Sequence, residues 1–184
     1  MSFIKKIKRR LIEQYKLHKK KMSYMDIKIE EWRSAGISVG KNCRLYNDRP
    51  INRDAFLLQI GDNVTVSGGV IFLCHDNAPI KVSKGKYTDV FGKISIGNNC
   101  FIGHSSVILP GVMLADDTIV GAGSVVVHSQ KESGYVIAGC PARVVCSIDE
   151  YYAKNEQYMV SADEIAGITL KEYFDLYPNK LITK

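Results

Sequence analysis

No apolar run in the 184 residues approaches the roughly 20 consecutive apolar residues that a membrane-spanning helix needs. The start, MSFIKKIKRRLIEQYKLHKKKM, is basic but has no continuous apolar stretch of the kind a signal peptide carries. The chain therefore reads as a cytoplasmic protein. Five cysteines, Cys43, Cys74, Cys100, Cys140 and Cys146, form no C-x-x-C pair, which argues against a zinc knuckle or a dithiol redox site. Free thiols fit a reducing compartment.

Charge is present but unevenly spread. Residues 1–33 hold eleven Lys/Arg against four Asp/Glu, a net +7, and the other residues sum to −1. The periodicity predicts a helix over residues 3–31, with Ile4, Ile7, Leu11, Tyr15, Met22, Met25 and Ile29 on one face and His18 between them. Two readings of this arm stay open. It packs on a β-rich body, its own or a neighbour's, or it lies on an anionic membrane surface as a peripheral helix. Nucleic-acid binding has no aromatic or motif support.

A six-residue repeat organises the middle of the chain. Its blocks are VGKNCR (39–44), IGDNVT (60–65), VSGGVI (66–71), IGNNCF (96–101), IGHSSV (102–107), ILPGVM (108–113), LADDTI (114–119) and VGAGSV (120–125). Position one is always aliphatic: Val39, Ile60, Val66, Ile96, Ile102, Ile108, Leu114 and Val120. Position five is always small or β-branched: Cys43, Val64, Val70, Cys100, Ser106, Val112, Thr118 and Ser124. Six residues make one short strand and a corner, and three units make a triangular coil. Coils stack through parallel ladders at ~4.8 Å, so no unit buries its face alone. Position one points inward, position five sits near the corner, and Gly and Asn supply the corner's backbone angles. Residues 77–93, NAPIKVSKGKYTDVFGK, break the pattern, yet Ile60 and Ile96 stay 36 residues apart. The interruption is an excursion loop (76–93) that keeps phase.

Three stretches carry a resemblance to a known family: IGDNVTVSGGVIFLCHD, ISIGNNCFIGHSSVILPGVMLADDTIVGAGSVV and VIAGCPARVV. They resemble the hexapeptide-repeat acyltransferases, specifically the maltose and galactoside O-acetyltransferase-like branch. The resemblance implies an all-β fold, a left-handed parallel β-helix, over residues 36–146, about 60% of the chain. It sits between the basic helical arm (1–35) and a C-terminal helical extension (147–184). Within the extension, SADE (161–164) and TLKE (169–172) match a capping box, and short helices are expected near 149–158 and 169–177.

Acetyl transfer from a thioester to a hydroxyl needs a base, an oxyanion donor and two substrates held together. A neutral imidazole suits the first task near pH 7. His75 ends a repeat segment and opens the excursion loop. By resemblance it falls at the family's catalytic histidine, and Asn47 at the asparagine that contacts the acceptor sugar. Asp48 and Asp89 are candidates to orient His75. For acetyl-CoA, the resemblance implies Phe101, Gly103 and His104 near the thioester, with the backbone of Gly121, Ala122, Gly123 and Ser124 along the carrier. Arg143 then aligns with a phosphate-contacting arginine. His128 and Cys146 depart from the family, which places basic residues there; Lys131 is the nearest substitute. Cys43 and Cys100 read as packing residues.

The resulting expectation is an acetyl-CoA-dependent O-acetyltransferase acting on a sugar or cell-surface glycan precursor. The resemblance implies a homotrimer with sites between subunits. The alternatives are an N-acyltransferase on a nucleotide-linked amino sugar and a non-catalytic β-helix scaffold. A zinc site on His75, His104 and His128 is disfavoured because the close histidine pair of γ-class carbonic anhydrases is absent, so no metal is expected. A serine acetyltransferase is disfavoured by the lack of a large helical N-terminal domain.

Overall fold

A computed structural model describes residues 3–19, 22–47 and 53–183. The body is a left-handed parallel β-helix with three faces. Face A stacks Ser38–Val39, Leu58–Ile60, Ile94–Ile96 and Met113–Leu114. Face B stacks Arg44–Leu45, Thr65–Val66, Phe101–Ile102, Ile119–Val120 and Tyr135–Gly139. Face C stacks Ile71–Phe72, Val107–Ile108 and Val125–Val126. An antiparallel strand, Ala142–Ser147, folds back on Tyr135–Gly139 and closes face B.

The repeat positions explain the coil. Every position-one and position-five residue named above is buried, with Val66, Ile102, Ile108 and Val120 at 0% exposure. Burying an aliphatic side chain of that size contributes about 1.5–3 kcal/mol. The corner angles belong to position four, where Asn42, Asn63, Gly69, Asn99, Ser105, Gly111, Asp117 and Gly123 all have positive φ. Gly and Asn do supply the corner angles, and they do so there; the glycines at position two, the second residue of a block, have a different reason. Gly97 and Gly103 are glycine because the next coil is too close: an added Cβ would lie 2.6 Å from the Asp116 nitrogen or 2.5 Å from the Ala122 nitrogen. Polar ladders run up the A–B corner. The Asp62 N–H donates to Asn98 Oδ1 (2.8 Å), and the Asn98 N–H to Asp116 Oδ1 (2.7 Å).

The basic arm is two helices rather than one. Helix α1 spans Phe3–Lys19 and α2 spans Tyr24–Ser34. Ser23 and Asp26 form a capping box that starts α2 afresh, and this local hydrogen bonding overrides the apolar periodicity. Trp32 and Ile29 of α2 cover the first coil, with Trp32 edge-on to Phe72 at 6.3 Å.

The excursion contains a short hairpin, His75–Asp76 against Val90–Phe91, and helix α3 (Pro79–Val82). In the C-terminal segment α4 spans Ile148–Asn155 and α5 spans Leu170–Leu176. Thr169 caps α5 as its sequence predicts. Ser161 and Glu164 also bond reciprocally, but only turns follow them. Ser147 and Glu150 form a capping box on α4.

Candidate active site

His75 stands where the chain leaves face C for the excursion, at the C–A corner. Its Nδ1 lies 2.7 Å from Asp54 Oδ2. An ionised carboxylate only accepts, so Nδ1–H donates and the Nε2 lone pair is left for a substrate. The Asp54 side chain is 4% exposed and that of His75 is 39% exposed, so the pair is anchored at one end and open at the other. Phe91, across the hairpin, lies 5.8 Å from the imidazole between ring centroids.

Asp54 is the residue that sequence reasoning missed. It lies 21 positions upstream in a segment outside the repeat, where no spacing points to His75. Asp89 takes another role. It accepts from Asn77 Nδ2 at 3.2 Å and faces Arg53 at 3.7 Å. Hydrogen bonds from Thr88 and Asn77 hold its carboxyl below the usual range, with smaller contributions from Arg53 and His75. Asp48 lies outside the described residues. Cys74, next to His75, is buried. Burial first, and the Asp54 charge second, push its thiol up to about 11. It stays protonated near neutral pH and is no rival nucleophile.

The residues expected on the carrier lie elsewhere. Phe101 projects outward from face B and is 43% exposed. Gly103, His104, Gly121, Ala122, Gly123 and Ser124 form the B–C corner of two successive coils. Gly103 and Gly123 spend their N–H groups on the coil, donating to Val120 and His104 carbonyls at 2.8 Å each. Among the described residues the N–H groups of His104 and Ala122 donate to no backbone carbonyl. These two lie one coil apart. The His104 ring lies against the corner below, 3.3 Å from where a Cβ on Gly68 would stand. The Ser124 side chain is fully buried, and its hydroxyl donates to the Gly121 carbonyl at 2.6 Å and accepts from the Gly139 N–H at 3.2 Å. Its role is to brace the corner. Arg143 is exposed on the closing strand, opposite Ala138.

Asn47 belongs with this second group. Its Nδ2 donates to the Val70 carbonyl at the B–C corner, and the buried Lys28 of α2 donates to its backbone carbonyl at 3.4 Å. One chain thus splits the predicted site between two corners, with face C between them. The outward side chains of face C are apolar: Ile71 and Leu73 are 49% and 38% exposed, and Val107, Leu109, Val125 and Val127 are half-buried. The described residues hold no cluster of three His, Cys, Asp or Glu able to hold a metal ion.

Comparison with known proteins agrees with this architecture. Residues 93–128 match the bacterial transferase hexapeptide (six repeats) family. The chain is 38% identical to Protein CapG of Staphylococcus aureus over 138 residues, covering 73% of this chain and 79% of that protein. It is 36% identical to the galactoside O-acetyltransferase of Escherichia coli K12 over 107 residues, 55% of this chain and about half (52%) of that enzyme. The fold superposes on a maltose O-acetyltransferase from Clostridium difficile 630 with a TM-score of 0.54 and 29% identity, covering 61% of this chain and 59% of the other. The left-handed coil of six-residue units is therefore that of a hexapeptide-repeat acyltransferase, the family to which this chain belongs.

Proposed function

We propose that this enzyme transfers an acetyl group from acetyl-CoA to a hydroxyl of a sugar or glycan precursor, with His75 as general base. The observation that carries the reading is the Asp54–His75 pair at 2.7 Å. Asp54 fixes the tautomer that leaves Nε2 basic and steadies the imidazolium formed as the hydroxyl attacks. The attack makes a tetrahedral oxyanion, which needs N–H donors. The His104 and Ala122 N–H groups are suited to that oxyanion and to the carrier's amides. The imidazolium then returns its proton to the departing thiolate of CoA, completing the transfer without a covalent enzyme intermediate.

His75 and these donors sit at opposite edges of face C, so the site is completed between two copies. The apolar face C supplies the contact, and a homotrimer brings the C–A corner of one chain to the B–C corner of the next. Structures of a galactoside acetyltransferase with coenzyme A and of a Vibrio cholerae hexapeptide acetyltransferase with acetyl-CoA share the fold, with TM-scores of 0.52 and 0.51. The enzyme works in the cytoplasm, and α1 is the element suited to hold it at the inner face of the membrane. Among the described residues no helix is long and apolar enough to cross a membrane. The Ile7, Leu11 and Tyr15 side chains of α1 are exposed on one face of a cationic helix.

The test is release of free thiol from acetyl-CoA across a panel of sugars, nucleotide sugars and glycans. Wild-type protein is expected to turn over at least one hydroxyl acceptor, and His75→Ala to lower kcat by about 10²-fold or more. Turnover of the variant near wild type removes His75 as the base.

A further inference from the structure

The excursion carries a charge pattern that the transfer chemistry leaves unused. Over residues 76–93 it has four lysines, Lys81, Lys84, Lys86 and Lys93, against Asp76 and Asp89. Both acids are engaged. Asp76 Oδ1 accepts from the Ala78 N–H at 2.8 Å, and Asp89 accepts from Asn77 and faces Arg53 at 3.7 Å. The lysines are exposed, and none meets a carboxylate among the described residues. The chain that follows is acidic: residues 94–184 hold six Lys/Arg against ten Asp/Glu. Positive charge is therefore gathered in the lobe that His75 opens.

The lobe is ordered by its own hydrogen bonds. Asn77 Nδ2 donates to the Thr88 carbonyl at 2.8 Å, and Ser83 Oγ accepts from the Tyr87 N–H at 2.9 Å. The antiparallel pairing of His75 with Phe91 brings their rings to 5.8 Å, and Phe91 stays 55% exposed. An exposed aromatic face beside a base is suited to the C–H face of a sugar ring, which would hold a hydroxyl at Nε2. Lys93 follows two residues on, at most about 7 Å along the chain. Gly92 between them is pinned by its N–H to the Cys74 carbonyl at 2.9 Å. The Lys93 ammonium is thus within a side chain's length of a group on that same ring, and Lys81, Lys84 and Lys86 extend the charge along the lobe.

We propose that the excursion selects an acidic acceptor, a sugar bearing a carboxylate or phosphate near the hydroxyl that His75 activates. Phe91 carries the ring and Lys93 pairs with the anionic group, so both determine specificity. Lysine is suited to either anion, because its ammonium meets each as a point charge. A neutral sugar leaves that ammonium in water at no gain, so the preference comes from charge. This inference rests on the acetyl-transfer reading and names its acceptor class.

The test is calorimetric binding to the full-length protein, with turnover followed separately by thiol release. Oligogalacturonate against its methyl ester isolates the carboxylate, and galactose 1-phosphate against galactose isolates the phosphate. The charged member of at least one pair is expected to bind about tenfold more tightly at low salt, and about 0.5 M salt to erase most of the difference. Lys93→Gln and Lys86→Gln should each weaken that member about fivefold, the size of an exposed charge pair. Phe91→Ala should weaken both members. All three side chains are exposed, so the variants fold, and a thermal melt checks this. The basic arm is intact in every variant, so attraction to it does not change among them. If neither pair shows a preference, or both lysine variants bind as wild type does, the inference falls, and turnover of a neutral acceptor leaves the acetyl-transfer reading standing. If a charged member binds through the lysines and no acceptor is turned over, the transfer reading falls and the acidic-sugar site remains. Lysine-dependent co-sedimentation with anionic vesicles, without preference within either pair, gives the lobe to the membrane and overturns the inference.

Discussion

Replacing Asp54 by asparagine keeps the shape of the side chain and removes its charge, so it isolates what the carboxylate does for His75. At 2.7 Å and an effective dielectric constant of about 20, unit charges attract by about 6 kcal/mol. The His75 side chain is 39% exposed, and solvent screening lowers this to about 3 kcal/mol, within the range found when one partner of a charge pair is removed. That free energy is spent where the imidazolium forms, in the transition state, so it converts to about a 10²-fold fall in kcat. A second effect has the same sign. The asparagine amide can donate to Nδ1, which moves the imidazole proton to Nε2 and leaves the base without its lone pair. The assay is thiol release at saturating acetyl-CoA and acceptor, with KM for acetyl-CoA measured alongside. The expected result is a low kcat with that KM unchanged, in a protein that melts cooperatively. An Asp54→Asn enzyme retaining more than half of wild-type kcat refutes the pairing as a catalytic device.

Three further outcomes follow from the same geometry. Leu109→Glu on face C should reduce the species seen by analytical ultracentrifugation from a trimer to a monomer and abolish turnover with it; an active monomer would disprove a site shared between copies. Gly97→Ala should lower Tm by more than 5 °C, roughly the effect of 1–2 kcal/mol in a domain of this size, because its Cβ meets backbone of the next coil at 2.6 Å. The contrasting Gly123→Ala has open space for its Cβ and strains only φ, which is +69°. Full-length protein should co-sediment with vesicles rich in anionic lipid and Leu11→Asp much less, since α1 combines exposed apolar side chains with basic ones at about 1 kcal/mol each near such a surface; equal recovery of the two proteins would rule out the membrane role.

The coil was legible in the sequence because its physics is local. One inward residue and one small corner residue every six positions leave a mark that survives without any partner. His75 stands out as a candidate at the point where that strict pattern stops, and its role as a base comes from the resemblance and not from the pattern. Asp54 was not legible, because contact between an irregular segment and a corner 21 residues later leaves no periodic trace. The break at Ser23 was hidden by an apolar stripe that runs through both helices, and only the pairing of Ser23 with Asp26 marks it. The reason for the position-two glycines was also out of reach, since a neighbour's backbone 2.5 Å from a missing Cβ belongs to stacking and not to the residue.

The polar ladder at the A–B corner has a consequence for how such enzymes diversify. The Asp62–Asn98 bond joins residues 36 apart, whereas the Asn98–Asp116 bond joins residues 18 apart, yet both are the same step of the coil. The stack closes over the excursion as though nothing had been inserted. Whatever chain lies between His75 and Ile94 can lengthen, shorten or change composition without asking the scaffold to refold. The excursion is in effect an insertion port on a fixed frame, where new sequence can be sampled at little risk to stability.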